Sequence, residues 1–111
     1  MGSASTAAAV VYVTVPDREV AKKISHGLVE SKLAACVNIV PGLQSIYMWE
    51  GKVNDDAELL LMIKTGTQIV ERLTEYVKAN HPYDECEVIS VPITGGSQSY
   101  ISWIEQSTQG S

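Results

Sequence analysis

The sequence predicts an α+β domain of the ferredoxin-like, split β-α-β type, on three observations. Strand-like and helix-like segments follow one another in the order β-α-β-β-α-β, with a short helix at the C-terminal end. Only the second and third strands are joined by a tight turn. No repeat or linker divides the 111 residues, so we expect one domain over residues 9–107, with residues 1–8 a flexible N-terminus and 108–111 a tail. Both main helices should cover one face of an antiparallel sheet, which leaves the other face to be covered by association.

The first strand and helix are delimited by local signals. The Val-rich segment Ala9–Val15 ends at Pro16, which predicts a buried strand. Asp17 stands at the N-cap position of a helix that should run to about Lys32. Residues four apart form its buried stripe, and two polar residues fall on the solvent side: Val20, Ile24 and Leu28 in the stripe, His26 and Glu30 outside it.

A long hairpin follows. Extended segments Ala34–Val40 and Leu43–Trp49 are separated by Pro41-Gly42, which predicts a bend or bulge. After a turn at residues 50–52, the strand Ala57–Thr65 carries a continuous apolar run, so both of its faces should be covered. Because an isolated two-stranded ribbon is marginal in water, the hairpin favours pairing with another subunit.

The second half of the chain again alternates helix and strand, ending in a helix. Thr67 or a neighbour should cap a helix that ends before Pro82, and Cys86–Thr94 reads as a strand whose second half lies at an edge or bend. Gly95-Gly96 is a turn, and Ser97 should cap the last helix. The apolar stripes are Ile69, Leu73, Tyr76 and Val77 in the first of these helices, and Tyr100, Trp103 and Ile104 in the last.

Charge and hydropathy exclude several classes of function. The net charge is −5, with eight basic and thirteen acidic residues, and Lys22-Lys23 is the only basic pair. Phosphate contacts from a basic stripe are therefore missing, which argues against nucleic-acid binding. Apolar runs such as Leu59–Ile63 are far shorter than the roughly 20 residues of a membrane span. We expect no membrane insertion and a soluble intracellular protein, cytoplasmic or organellar (plastid or mitochondrion), since the N-terminal residues do not resemble a secretory signal.

No catalytic motif is present. The sequence lacks GxSxG, Walker A, HExxH and a GxGxxG after a strand. Gly95-Gly96 before a helix could cradle an anion, but a plain turn is the favoured interpretation. Cys36 and Cys86 are too far apart for a close metal-binding spacing and are expected to be buried or half-buried thiols. We predict a protein that is not an enzyme and requires no cofactor.

The segment of residues 81–87 is the richest in metal-ligand side chains. His81, Cys86 and Glu87 together would suit copper(II) or zinc(II). They would need suitable loop geometry or a ligand from another chain. The alternative is that His81 ends the helix and the acidic residues form a solvated loop.

A second candidate group is aromatic. Tyr and Trp are enriched at interfaces and pockets because they bury area while keeping a polar atom. Lys64, which ends an apolar strand, could line a cleft or reach solvent. The group is expected to pack in an interface or to form an intersubunit cleft, and comprises Tyr47, Met48, Trp49, Lys64, Tyr83 and Trp103.

Five ordered motifs resemble the CutA divalent-cation tolerance family over about Val10 to Ser107. They are Lys32–Gly42, Ser45–Lys52, Ile63–Thr65, His81–Tyr83 and Pro92–Trp103. The resemblance implies a tight homotrimer extended by intersubunit strand pairing, tolerance of copper and other divalent cations, and no known reaction. Animal members are linked to acetylcholinesterase anchoring, which implies a protein partner, and the architecture is similar to that of PII signalling proteins.

The resemblance also bears on the metal ligands. His81 and Glu87 match family positions. Val13 stands where some bacterial members carry a thiol, and Cys86, at a position that is often prolyl, could supply a replacement thiol. The leading hypothesis is a homotrimeric protein that binds copper or another divalent cation. The alternative is a PII-like signalling or scaffold module whose intersubunit clefts bind a metabolite or a partner protein, with Lys64 as the residue expected to bind an anion. An unrecognised enzyme ranks last.

Overall fold

The computed structural model describes residues 6–108 and contains the predicted elements in the predicted order. All strand pairs are antiparallel and form one four-stranded sheet in the order β2-β3-β1-β4, which confirms the ferredoxin-like α+β fold. A single 3-10 turn over Thr67–Ile69 precedes the second helix. The strands are β1 (Ala8–Val15), β2 (Cys36–Trp49), β3 (Lys52–Gly66) and β4 (Val88–Pro92), and the helices are α1 (Arg18–Glu30), α2 (Val70–Asn80) and α3 (Gln98–Ser107).

The main core lies between the sheet and the pair of helices α1 and α2. Successive side chains of a strand point to opposite faces, so every second residue of β1 and β3 faces the helices. These strand residues meet the predicted apolar stripes, and the free energy gained by removing that area from water holds the two layers together. The centre of the core is formed by Val11, Val13, Val15, Leu61, Ile63, Ile24, Leu28, Leu73 and Val77.

The opposite side of the sheet is here called the open face; among residues 6–108, Tyr83 contacts Glu58 near one end of it, and α3 covers the other end. There, Ile101 and Ile104 of α3 pack against Ala8. Beyond α3, alternation and strand register place apolar side chains side by side on this face. They are half-buried or exposed in the single chain: Val10, Tyr12, Leu60, Met62, Ile89 and Val91. Within one chain the helices cover one face of β3, and the cover of its other face by association stays a prediction.

The β2–β3 hairpin is longer than predicted and continuous through Pro41-Gly42. The register shifts between Val40 and Leu43, where Gly42 has a φ of 87°, so the predicted interruption is a bulge within one strand. β1 pairs only with residues 59–66 of β3. Residues 43–58, here called the distal hairpin, therefore pair only with each other. Their turn has positive φ at Glu50 and Gly51, as a tight hairpin turn requires.

Several predicted boundaries move by a few residues. Asp17 caps α1 by accepting a hydrogen bond from the Val20 amide at 2.9 Å, as predicted, but the helix ends at Glu30 because Lys32 adopts a left-handed conformation with a φ of 62°. Thr67 does not cap α2; it starts the 3-10 turn, and no side chain caps that turn. β4 is shorter than Cys86–Thr94.

The folded region extends past both predicted ends of the domain. Ala8 is fully buried in β1, and the Thr6 hydroxyl donates a hydrogen bond to the Ile93 carbonyl at 2.7 Å. At the other end, Thr108 is buried, and its Oγ1 accepts a hydrogen bond from the Gly66 amide at 3.1 Å. The remainder of the predicted flexible N-terminus and tail, residues 1–5 and 109–111, lies outside the described residues.

Candidate functional site

A cavity of about 620 Å³ lies where the distal hairpin meets the segment of residues 81–87. The segment follows α2, which ends because His81 precedes Pro82 and adopts an extended conformation. The hairpin supplies the wall from one side and the segment from the other. The lining residues are Thr14, Ser45, Ile46, Tyr47, Trp49, Asp56, Glu58, Tyr83, Asp84, Glu85 and Glu87.

Two tyrosine–carboxylate pairs organise the cavity. The Tyr47 hydroxyl donates to Asp56 Oδ2 at 2.5 Å across the two hairpin strands. The Tyr83 hydroxyl donates to Glu58 Oε2 at 3.1 Å and so joins the segment to β3. Glu58 is only 7% exposed, and no basic side chain lines the cavity among residues 6–108. The site is therefore acidic and aromatic.

His81 anchors the segment to the sheet. Its Nε2 lies 2.8 Å from the Thr14 carbonyl oxygen, and its Nδ1 accepts a hydrogen bond from the Tyr83 amide at 3.2 Å. Because a carbonyl only accepts and an amide N–H only donates, the ring proton must be on Nε2. The imidazole ring also contacts the Tyr83 ring, with centroids 4.8 Å apart. Both nitrogens of this buried histidine are thus engaged within the chain.

The three predicted metal ligands do not form a metal site within one chain. Among residues 6–108, no group of three His, Cys, Asp or Glu side chains could hold a metal ion. Both nitrogens of His81 are occupied, as described above. Cys86 is half-buried, and burial raises the pKa of its thiol, which opposes formation of a thiolate ligand. Glu87 lines the cavity. A metal would need ligands from elsewhere, and His81 could be one of its ligands only after rearrangement.

Within one chain, only part of the predicted aromatic group is brought together, and the intersubunit cleft stays a prediction. Tyr47, Trp49 and Tyr83 line the cavity. The Lys64 ammonium instead donates a hydrogen bond to Asn38 Oδ1, away from the cavity. Trp103 lies on α3, where its ring contacts Tyr100 with centroids 5.3 Å apart.

Sequence reasoning missed the two carboxylates that receive the tyrosine hydroxyls. Asp56 and Glu58 alternate with Asp55 and Ala57 in an extended segment, so they lie on one face of β3. The register places Ser45 opposite Asp56 and Leu43 opposite Glu58. This alternation was the available signal, and it would have placed both carboxylates beside the aromatic residues of β2.

The Tyr83–Glu58 pair predicts a tyrosine whose hydroxyl loses its proton only at unusually high pH. Burial, and then the hydrogen bond to Glu58, raise the pKa of Tyr83 from 10.0 to about 12. Since the folded-state pKa exceeds the unfolded value, the pair's contribution to stability is complete below pH 10 and is lost as the pH rises from 10 to about 12. Tyrosinate absorbance at 295 nm should show a component near pH 12 that disappears in Tyr83→Phe and moves to lower pH in Glu58→Gln. An unchanged titration in Glu58→Gln would contradict the pair.

Residues 9–107, which contain the whole sheet-and-helix unit except Ala8, match the model of the family described as "CutA1 divalent ion tolerance protein". The chain belongs to this family. The match confirms the resemblance seen in the sequence motifs. It also places the cavity, the distal hairpin and the open face within the part of the chain that defines the family.

Individual CutA relatives agree with this assignment. The divalent-cation tolerance protein CutA of Thermus thermophilus is 52% identical over 99 residues, which cover 89% of this chain and 96% of that protein. The chloroplastic protein CutA of Arabidopsis thaliana is 60% identical over 100 residues, covering 90% of this chain and 55% of that protein. The crystal structure of CutA1 from Oryza sativa superimposes with a TM-score of 0.91 at 53% identity, covering 98% of this chain and all of that chain.

The chain spans little more than half the length of its plant relatives, 55% for Arabidopsis thaliana and 58% for a chloroplastic CutA of Oryza sativa. Within residues 6–108, none of the helices has the length and apolar character needed to cross a membrane.

Proposed function

We propose that this CutA chain acts as a homotrimeric divalent-cation tolerance protein with a binding role and no catalytic one. The observation that carries the proposal is the open face. A sheet face that presents Tyr12, Met62, Ile89 and Val91 is stable in water only if something covers it, and contiguous apolar surface of this kind marks an interaction site. A second and third copy of the chain would cover it.

The distal hairpin supports the same assembly. It carries exposed apolar side chains outside the cavity on both strands, at Met48 and Val53. A two-stranded ribbon with this composition gains little stability alone, whereas strand pairing or packing against a neighbouring subunit buries these side chains. β2 and β4, the two edges of the sheet, also present unpaired backbone groups that can extend the sheet.

Metal binding is the second part of the proposal. The relative from Thermus thermophilus is named for tolerance of divalent cations. Since residues 6–108 of one chain do not provide three ligands in one place, copper(II) or another divalent cation would be held by residues of more than one subunit, with the exposed Glu87 as one ligand. The plant relatives are named as chloroplastic, and we propose a soluble location in the cytoplasm or in a plastid or mitochondrion.

A matched pair of substitutions tests the assembly. Val91 on the open face and Val29 on α1 are almost equally exposed in the single chain, at 44% and 43%. Val91→Asp should dissociate the trimer, because a buried, unpaired carboxylate opposes association. Val29→Asp should leave it intact. Light scattering after size exclusion should give three times the 12.0 kDa chain mass for the wild type and Val29→Asp, and a lower mass for Val91→Asp.

A wild-type protein that remains monomeric at micromolar concentration would contradict the proposed trimer.

Native mass spectrometry with limiting copper(II) tests the proposed metal binding. Uptake in whole-number steps per trimer that Glu87→Gln abolishes supports a defined site, whereas uptake that is equal in both proteins argues against it. A monomeric variant such as Val91→Asp should take up less copper, since it lacks the ligands from neighbours.

The cavity favours a second candidate function, a PII-like module that binds a metabolite or presents a surface to a protein partner. Its volume of about 620 Å³ lies in the range of sites for small molecules. Its carboxylates oppose the anion or nucleotide expected for a Lys64-dependent site. Lys64 does not line it.

A further inference from the structure

We propose that the cavity between the distal hairpin and residues 81–87 binds a small organic cation that carries an ammonium group. The inference goes beyond the proposed function, since it requires no metal ion and names a class of ligand that the proposed function does not include. It rests on the charge of the cavity, the burial of one carboxylate, the aromatic walls and the volume.

The first observation is a buried carboxylate beside which no basic side chain of residues 6–108 lines the cavity. Glu58 is more than nine-tenths buried, and its hydrogen-bond partner is the neutral hydroxyl of Tyr83. A carboxylate withdrawn from water is costly unless a cation accompanies it. The lysines of the same strand, Lys52 and Lys64, do not line the cavity. A bound cation would supply the missing counter-charge.

The other acidic groups add to the same potential. Asp56, Asp84, Glu85 and Glu87 line the cavity with Glu58, and the described lining contains no Lys, Arg or His. A cavity lined by charges of one sign concentrates counter-ions. This distribution disfavours an anion or a nucleotide and favours a cation.

The aromatic residues indicate an organic cation. Tyr47 and Tyr83 use their hydroxyls to donate to Asp56 and Glu58, which fixes the orientation of both rings beside the carboxylates. Trp49 supplies the aromatic face that attracts an ammonium group most strongly. Carboxylates combined with aromatic faces are the chemistry that recognises an amine or a quaternary ammonium.

Volume and ligand geometry separate this ligand from a metal ion. A single ion would fill little of a cavity of about 620 Å³, and among residues 6–108 no group of three His, Cys, Asp or Glu side chains could hold a metal ion. In the proposed trimer the cavity would lie beside a subunit boundary, because Glu58 and the open-face residue Leu60 share one face of β3. The test therefore uses the intact protein in its own oligomeric state.

Calorimetric titration with three matched probes tests the inference. Phenethylamine carries the ammonium group, 2-phenylethanol is a neutral analogue of similar shape, and phenylacetate is the anion. We expect phenethylamine to bind at least about tenfold more tightly than either analogue, the ratio that loss of one charge-assisted hydrogen bond produces. Benzyltrimethylammonium should also bind, since cation–π contact does not need a donated proton.

Two cavity variants and one control localise the site. Glu58→Gln keeps the size of the side chain and an oxygen that can accept from Tyr83, so it should fold and weaken phenethylamine binding by about tenfold. Trp49→Leu changes a half-exposed side chain and should weaken benzyltrimethylammonium more than phenethylamine. Asp55→Asn removes the same charge from a neighbouring residue that does not line the cavity, so affinity should stay within about twofold.

Equal affinity for phenethylamine and 2-phenylethanol would overturn the inference. So would equal losses in Glu58→Gln and Asp55→Asn, or binding of copper(II) with no binding of either ammonium probe at millimolar concentration. None of these results would contradict the proposed trimer. Conversely, a monomer that binds phenethylamine through Glu58 would overturn the proposed assembly and support the cation site.

Discussion

Leu61→Ala should lower the free energy of unfolding by about 2–5 kcal/mol, since it removes a fully buried side chain and leaves a cavity. Leu61 lies at the centre of the sheet, where it pairs with Val13 of β1 and Ile39 of β2 and is completely buried under the helices. Neighbours held in two strands and two helices can relax only slightly into the vacated space. Urea unfolding followed by circular dichroism, with linear extrapolation to water, measures the loss.

Leu60→Ala is the matched control, because the preceding residue of the same strand carries the same side chain on the open face. Leu60 is only half-buried in the single chain. Its truncation should cost the subunit less than that of Leu61 and should instead weaken assembly, seen as a larger monomer fraction on dilution. Equal losses of subunit stability in the two variants would contradict the assignment of Leu61 to the covered face of the sheet and Leu60 to the open face.

The parts of the fold that could be predicted are those set by local patterns. Alternation along β1, the stripe of Ile24 and Leu28 in α1, and the caps Asp17 and Ser97 all depend on residues within one or two turns of each other. The errors are also local. Lys32 enters a left-handed conformation although it is not glycine, and Thr67 enters a 3-10 turn that no sequence signal distinguishes from a helix start.

The candidate site was harder to predict because it depends on contacts between distant parts of the chain. The segment 81–87 reaches the hairpin because His81 bonds to the Thr14 carbonyl, 67 residues earlier in the chain. Residue type alone placed Tyr47, Trp49 and Tyr83 in one group, and the structure brings these three together. Lys64 was grouped with them because it ends an apolar strand. Within one chain it lies six residues from Glu58 along β3, about 20 Å at the rise of an extended strand, so its place in an intersubunit cleft stays a prediction.

The metal-ligand prediction, which already called for loop geometry or another chain, stays a prediction, because one chain does not bring the three side chains into a metal site among residues 6–108. A histidine near a thiol and carboxylates has side-chain types that suit a transition metal, yet each ligand atom must also have a free lone pair. In His81, the Nδ1 lone pair accepts from the Tyr83 amide, and Nε2 carries the proton that is donated to Thr14. Sequence shows which atoms could bind a metal, whereas only the backbone around them shows which are already engaged.

His81→Ala should therefore act mainly on stability, lowering the free energy of unfolding by about 2–4 kcal/mol. The substitution removes a buried ring and leaves the Thr14 carbonyl and the Tyr83 amide without their partners. It should also loosen Tyr83 from Glu58 and weaken cation binding in the cavity. Urea unfolding and the phenethylamine titration measure the two effects.

His26→Ala is the control for this substitution, because His26 is exposed on α1 and should change stability by no more than about 0.5 kcal/mol. If His81→Ala kept wild-type stability but lost copper(II) binding, His81 would be a metal ligand, and its anchoring role would be contradicted. Reduced stability with unchanged copper uptake per trimer would show that His81 is a structural anchor and not a metal ligand. In that case His81 holds the segment 81–87 in place, and the acidic side chains of that segment, with those of β3, determine which cations the protein binds.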